Sequence, residues 1–139
     1  MTISTTAAAT QGSGQATLLR RSLGANAGFS ALSGVVLIAF HGPLDRFIGL
    51  GLPWLLIVLG AGLLGFAALI ALNLRRTRIS RTEAWLTVAS DIAWVAGSAV
   101  ILLGFPDLLD TGGKWLVALA AVGVADFALL QTLGLRRSA

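Results

Sequence analysis

The chain alternates between long apolar stretches and short charged clusters. No charged residue occurs between Arg21 and Asp45, or between Arg46 and Arg75. Each gap exceeds the roughly 20 residues that a helix needs to cross a hydrocarbon core about 30 Å thick. The pattern predicts four membrane-spanning helices, over residues 22–40, 53–74, 84–105 and 114–135. The first carries Asn26, Ser30 and Ser33; the third and fourth carry one aspartate each, Asp91 and Asp126. A soluble bundle needs polar outer faces, and the second span has none. The expected fold is therefore all-α and polytopic.

Turn residues agree with these limits. Gly42-Pro43 and Pro53 bracket the first loop, and Pro106 and Gly112-Gly113 the third. Trp54 and Trp115 fall at one membrane face and Trp85 at the other, where indole rings favour the headgroup level. Trp94 lies deeper. Residues 1–19 are rich in Thr, Ser, Ala, Gly and Gln and carry no charge, which reads as a disordered polar tail. Residues 20–137 form the expected four-helix transmembrane domain. Arg20-Arg21 before an apolar run has the start of an export signal, but bulky Phe40-His41-Gly42 is no A-x-A-like cleavage site.

Charge sets the expected orientation. Arg20, Arg21, Arg75, Arg76, Arg78, Arg81, Arg136 and Arg137 lie on one side, eight of the ten basic residues. The other side has Arg46 and Lys114, with Asp45, Asp107 and Asp110. The positive-inside rule puts both termini in the cytoplasm. This use accounts for the net charge of +4 and leaves no basic surface for nucleic acid. Contact with the lipid bilayer, including its anionic headgroups, follows from the same arginines.

Composition removes several chemistries. Hydrophobic residues make up 56% of the chain and charged residues 12%, about half the ~25% charged share of a soluble domain. There is no cysteine and one histidine, His41. Thiol catalysis, disulfide frameworks and cysteine-ligated metals are excluded, and a bis-histidine haem site is not available within one chain. His41 sits beside Gly42-Pro43 and reads as a turn residue. No phosphate-binding loop, nucleophile elbow or paired-histidine helix is present. No catalytic residue, metal site or cofactor is expected.

The sequence also repeats itself. Residues 54–76 align without a gap on 115–137, at an offset of 61, with ten identities in 23 positions. Gly62, Phe66 and Ala67 are among them, and neither topology nor hydrophobicity demands those. The preceding spans align at an offset of 65, where Ala31, Ser33, Val35, Leu37 and Phe40 meet Ala96, Ser98, Val100, Leu102 and Phe105. The chain reads as two tandem duplicated hairpins related by an axis along the membrane normal. In the second hairpin Asp91 stands where the first has Asn26, and Asp126 where it has Gly65.

Those aspartates are the expected functional centre. Asp91 and Asp126 lie at similar depth, about 10 and 13 Å from the arginine-rich end at 1.5 Å per residue. A carboxylate there costs about 2.5–3.5 kcal/mol on insertion scales, so both are expected to face the bundle interior, Asp91 towards the polar side chains of the first helix or towards Asp126. Thr87, Asp91, Trp94 and Ser98 form one helical stripe, and Asn26, Ser30 and Ser33 another. The candidate polar site is Asp91, Asp126, Asn26, Trp94, Thr87 and Ser30. The stripes Gly24-x-x-x-Gly28 and Ala89-x-x-x-Ala93-x-x-x-Gly97, with Gly60, Gly62 and Gly65, mark expected helix contacts.

The runs Ser22-Leu23-Gly24-Ala25-Asn26-Ala27-Gly28-Phe29-Ser30, Asp91-Ile92-Ala93-Trp94-Val95-Ala96-Gly97-Ser98 and Gly113-Lys114-Trp115-Leu116-Val117 resemble a group of short bacterial four-helix membrane proteins of unassigned function. The resemblance covers residues 20–137 and implies a multi-pass protein of the bacterial cytoplasmic (inner) membrane. In size and helix count the chain is also similar to small multidrug-resistance transporters. Those carry an essential glutamate in the first helix, where this chain has Asn26.

Two functions follow from these residues. One is a non-enzymatic structural or accessory subunit, associated with itself or with another membrane protein. The other is a small proton-coupled transporter or channel using the intramembrane aspartates. They separate on whether Asp91 and Asp126 face a cavity or a sealed bundle. The charge asymmetry makes its own prediction: reporter fusions after Ala139 and beside Asp110 will give opposite readings, the former cytoplasmic. A cytoplasmic reading at Asp110 would refute the span assignment.

Overall fold

The computed structural model describes residues 2–137, with side chains from Ser13 onward, Gln15 excepted. Its helices are α1 (Thr2–Ala39), α2 (His41–Ile48), α3 (Pro53–Leu74), α4 (Arg81–Gly104) and α5 (Thr111–Arg137). No strand occurs among the described residues. Four stretches are long and apolar enough to cross a membrane: Ala16–Ala39, Pro53–Leu74, Arg81–Gly104 and Thr111–Arg137. Large apolar side chains such as Leu32, Leu69, Leu103 and Leu119 cover their outer surfaces. An all-helical chain of this kind satisfies its backbone internally, as a lipid environment requires.

The helices pair as two hairpins. α1 packs along α3, α4 along α5, and α1 also lies against α5, whereas α3 barely touches α4. At the arginine-rich end Leu19 and Leu23 of α1, Ile70 of α3, Ala84 and Val88 of α4 and Leu135 of α5 form one buried cluster. At the other end Ile48, Leu56 and Leu109 form a second, with Leu37, Leu44 and Val117 packed on it.

The first span begins earlier than charge alone predicts. Leu19 is buried and packs on Gly134 of α5, so the last residues of the stretch read as a tail belong to the bundle. The rest of the stretch read as a disordered tail is helical from Thr2 as part of α1; the side chains of residues 1–12 and Gln15 lie outside the described residues. Arg20 is tolerated because its guanidinium donates to the carbonyls of Leu74, Arg76 and Thr77, at 2.8, 2.7 and 3.0 Å. Those carbonyls follow the last turn of α3, where the helix carries partial negative charge and unpaired acceptors. α4 likewise begins at Arg81 rather than at residue 84. Ser80 caps it by accepting from the Glu83 amide, and Ser80 with Glu83 three residues on has the spacing of a capping box.

The segment expected to be a plain loop contains α2. Its Leu44, Asp45 and Ile48 turn inward, and the Asp45 carboxylate accepts from the Leu52 amide at 2.9 Å. Gly49 ends it in a left-handed conformation, φ 77°, a common helix stop. A side chain there would run into Asp110. The Asp110 amide in turn donates to the Ile48 carbonyl at 2.8 Å. α2 thus ties the α1/α3 hairpin to the start of α5. His41 opens α2, and its Nδ1 lies 2.8 Å from the Ile38 carbonyl, which places the ring proton on that nitrogen.

The closest helix approach is not at the stripe expected in α1. A Cβ on Gly34 would come within 2.7 Å of the Gly60 carbonyl oxygen, and one on Gly60 within 2.8 Å of the Gly34 carbonyl oxygen. Backbone meets backbone there, so neither position has room for a side chain. Gly28, Gly62, Gly65 and Gly97 have open space, and Ala89, Ala93 and Gly97 face outward. Gly60→Val should therefore destabilise the protein by about 1–3 kcal/mol, the usual cost of overpacking. Gly62→Val, two residues on, should have little effect. Thermal unfolding in detergent compares the two; equal stabilities would show that α1 and α3 do not meet at Gly60.

Candidate functional site

A polar layer lies between the two apolar clusters. α1 contributes it from one face, on which Leu19, Leu23, Asn26 and Ser30 are all buried at the i, i+4, i+7, i+11 spacing of a helix. α4 presents Ala84, Thr87, Asp91 and Ser98 in the same way, and α5 presents Val124, Ala128, Gln131 and Leu135. Where the three faces converge, the polar members have only each other.

Asp91 is the centre. It is 3% exposed. The Asn26 side-chain amide of α1 donates to its Oδ2 at 2.7 Å, and the Gln131 amide of α5 donates to the same oxygen at 3.4 Å. Ser30 Oγ donates to Asn26 Oδ1 at 3.3 Å, which turns the Asn26 amide nitrogen toward the carboxylate. One carboxyl group thus joins three helices. No ion pair reaches it; the ion pair of the described residues is Arg76–Glu83, 3.0 Å long and largely exposed.

The remaining predicted residues are distributed differently. Thr87 is buried on the Asp91 face of α4, but its hydroxyl donates to the Glu83 carbonyl at 3.0 Å. Ser98 bonds the Trp94 carbonyl in the same local manner. Trp94 is half-buried, and its indole Nε1 is buried without a partner, as is Gln131 Oε1. Asp126 is a correction. It is exposed on α5 and does not meet Asp91. The buried line of α5 runs through Val124, Ala128, Gln131 and Leu135, and a residue two positions past Val124 falls on the opposite side of a helix with 3.6 residues per turn.

Gln131 takes the place assigned to Asp126. Its signal in the sequence was an amide in the fourth span, but equal depth favoured the aspartate. Asn73, the side-chain amide of α3, is engaged elsewhere. Its side chain donates to the Ser80 carbonyl and accepts from the Ser80 amide, at 3.3 and 2.8 Å, closing the α3–α4 turn.

A groove of about 320 Å³ opens between α3 and α4. Phe66, Leu69, Ile70 and Leu86 line its length with Thr87 of the predicted site, and Arg76 and Glu83 stand at its arginine-rich end. Neither aspartate lines it. Among the described residues no three His, Asp or Glu side chains approach closely enough to hold a metal ion. Comparison with family models, curated proteins and solved structures finds no match to the chain.

The geometry makes Asp91 a connector whose worth depends on its two amides. Asp91→Asn keeps an acceptor oxygen for one of them and should cost about 0.6 kcal/mol, the average of an interhelical bond in a membrane protein. Asp91→Leu leaves the Asn26 and Gln131 amides buried without an acceptor and should cost about 1–3 kcal/mol. Thermal unfolding in detergent orders the variants. A leucine variant as stable as wild type would mean that the contact contributes nothing.

Proposed function

We propose that this chain is a non-enzymatic integral subunit of a bacterial cytoplasmic membrane, with both termini cytoplasmic, and that Asp91 joins its helices rather than carrying protons. The observation that carries this reading is the saturation of Asp91 Oδ2 by amides from α1 and α5 inside a packed interface. A proton-relay carboxyl needs a path to water or to a second titratable group. Asp126, the expected second group, points away from it, and neither aspartate lines the α3–α4 groove.

The same reading includes the duplicated hairpin, and three contacts support it. Asn26 and Asp91, equivalent at an offset of 65, touch each other, as equivalent residues on a pseudo-two-fold axis do. In the first hairpin Arg20 donates to the Leu74 carbonyl; in the second Arg81 donates to the Leu135 carbonyl at 3.0 Å. The two bonds span the same 54 residues. The symmetry is imperfect. The packed α1–α5 contact has as its counterpart the α3–α4 groove, where the helices part.

Flux measurements test the proposal against its alternative. In proteoliposomes with an imposed pH gradient, wild type and Asp91→Asn should both dissipate the gradient no faster than empty vesicles. Rapid dissipation by wild type, lost in a folded Asp91→Asn protein, would replace the structural reading with a proton-coupled one. For an accessory subunit, the tagged chain purified from native membrane should carry a second membrane protein in fixed stoichiometry.

A further inference from the structure

Asp91, Asn26, Ser30 and Gln131 find hydrogen-bond partners within the bundle, whereas Asp126 turns away from it. Its side chain is exposed on α5, about 16 Å along the helix from Arg137 and about 22 Å from Thr111 at 1.5 Å per residue. That is near the middle of a span, where lipid offers a carboxyl group neither donor nor water. Its neighbours on the outer face are apolar. Trp115, Leu119, Val122 and Leu129 are all more than half exposed, at 64, 66, 62 and 59%. Phe127, the next residue, packs on Phe29 of α1, the ring centroids 5.7 Å apart and the planes tilted by 56°. The helix is therefore well seated, and Asp126 is not free to rotate inward.

The spacing on this face is specific. Trp115, Leu119, Val122, Asp126, Leu129 and Leu133 follow one another at steps of four, three, four, three and four. That is the seam of a left-handed helix pair. A single polar residue within such a seam fixes register and partner number. Gly123, one turn before Asp126, has open space above it, so a second helix can approach closely beside the carboxyl group.

We infer that the outer face of α5 packs against the same face of a second copy of this chain, with the two Asp126 side chains opposite one another at the two-fold axis. A second copy is the occupant that meets the chemistry with nothing added. Two-fold symmetry along the membrane normal brings a residue to its own equivalent at equal depth. A protonated carboxyl group is both donor and acceptor, so the pair hydrogen-bonds to itself. A partner carrying a basic residue would have to match the same depth with a different helix. The inference is independent of the role given to Asp91, which lies on another helix and points inward.

The chain has no cysteine, so single-cysteine variants test it directly in membranes. Val122→Cys and Leu129→Cys should form disulfide-linked dimers on oxidation. Leu69→Cys on α3 and Leu103→Cys on α4, both fully outward at 67 and 84% exposure, should not. In a bilayer dimerisation assay, Asp126→Asn should retain association, and Asp126→Leu should raise the dissociation constant roughly tenfold, in the range of one to two interhelical hydrogen bonds. Because the side chain faces out, Asp126→Leu should keep or improve the thermal stability of the monomer, which separates lost association from lost folding. A monomeric wild type, cross-linking that is equal on and off the seam, cross-links to a different protein alone, or undiminished association in Asp126→Leu would each overturn the inference.

Discussion

A carboxyl group taken out of water must find its hydrogen-bond donors within the protein, and the convergence of three of the four spans follows from meeting that demand at Asp91. Lipid and leucine are equally apolar, so no hydrophobic force sorts helix against helix inside a bilayer. Direction comes instead from the few groups that cannot be left to lipid. Asn26 brings α1 to α4 and Gln131 brings α5 to α4, both through one carboxylate oxygen. The apolar clusters above and below that layer, around Leu23 and Leu135 at one end and around Ile48 and Leu109 at the other, fill the space the polar contacts define.

The helix ends obey the same accounting. Terminal carbonyls left open by the helical pattern are met by arginine or by a backbone amide. Arg20 covers the end of α3, Arg81 the end of α5, and Asn73 holds the turn between α3 and α4. Arginines at the ends of the spans thus also serve as helix caps.

What the amino-acid pattern revealed and what it hid have separate physical causes. The span 53–74 was legible to the residue, because Pro53 and the Arg75-Arg76 pair mark both ends of an uncharged run. The meeting of Asn26 with Asp91 was legible in part, because Asn26 leads the polar stripe of the first span and a buried carboxyl group needs such a donor. The facing of Asp126 was not. Both sides of a membrane helix are apolar, so periodicity offers no contrast between inside and outside, and a single aspartate was assumed to point inward. α2 was hidden by Gly42-Pro43, which reads as a turn although proline is well tolerated in the first turn of a helix. The starts of α1 and α4 were placed late because charge was taken to end a span, whereas Arg20 and Glu83 have partners that let the helix continue past them.

The paired arginine clamps carry a consequence for how the molecule is made. Arg20 finds its carbonyls only after residue 74 has been synthesised, and Arg81 only after residue 135. Each clamp lies within its own hairpin. The first hairpin can therefore close and settle while the second is still on the ribosome, and the second can do so without the first. The Asn26–Asp91 contact joins residues of different hairpins, so it forms between two units that are already complete. Biogenesis divides into two self-contained insertions followed by one docking step: the second insertion carries Asp91 into the bilayer with Gln131 beside it, and docking adds the Asn26 amide.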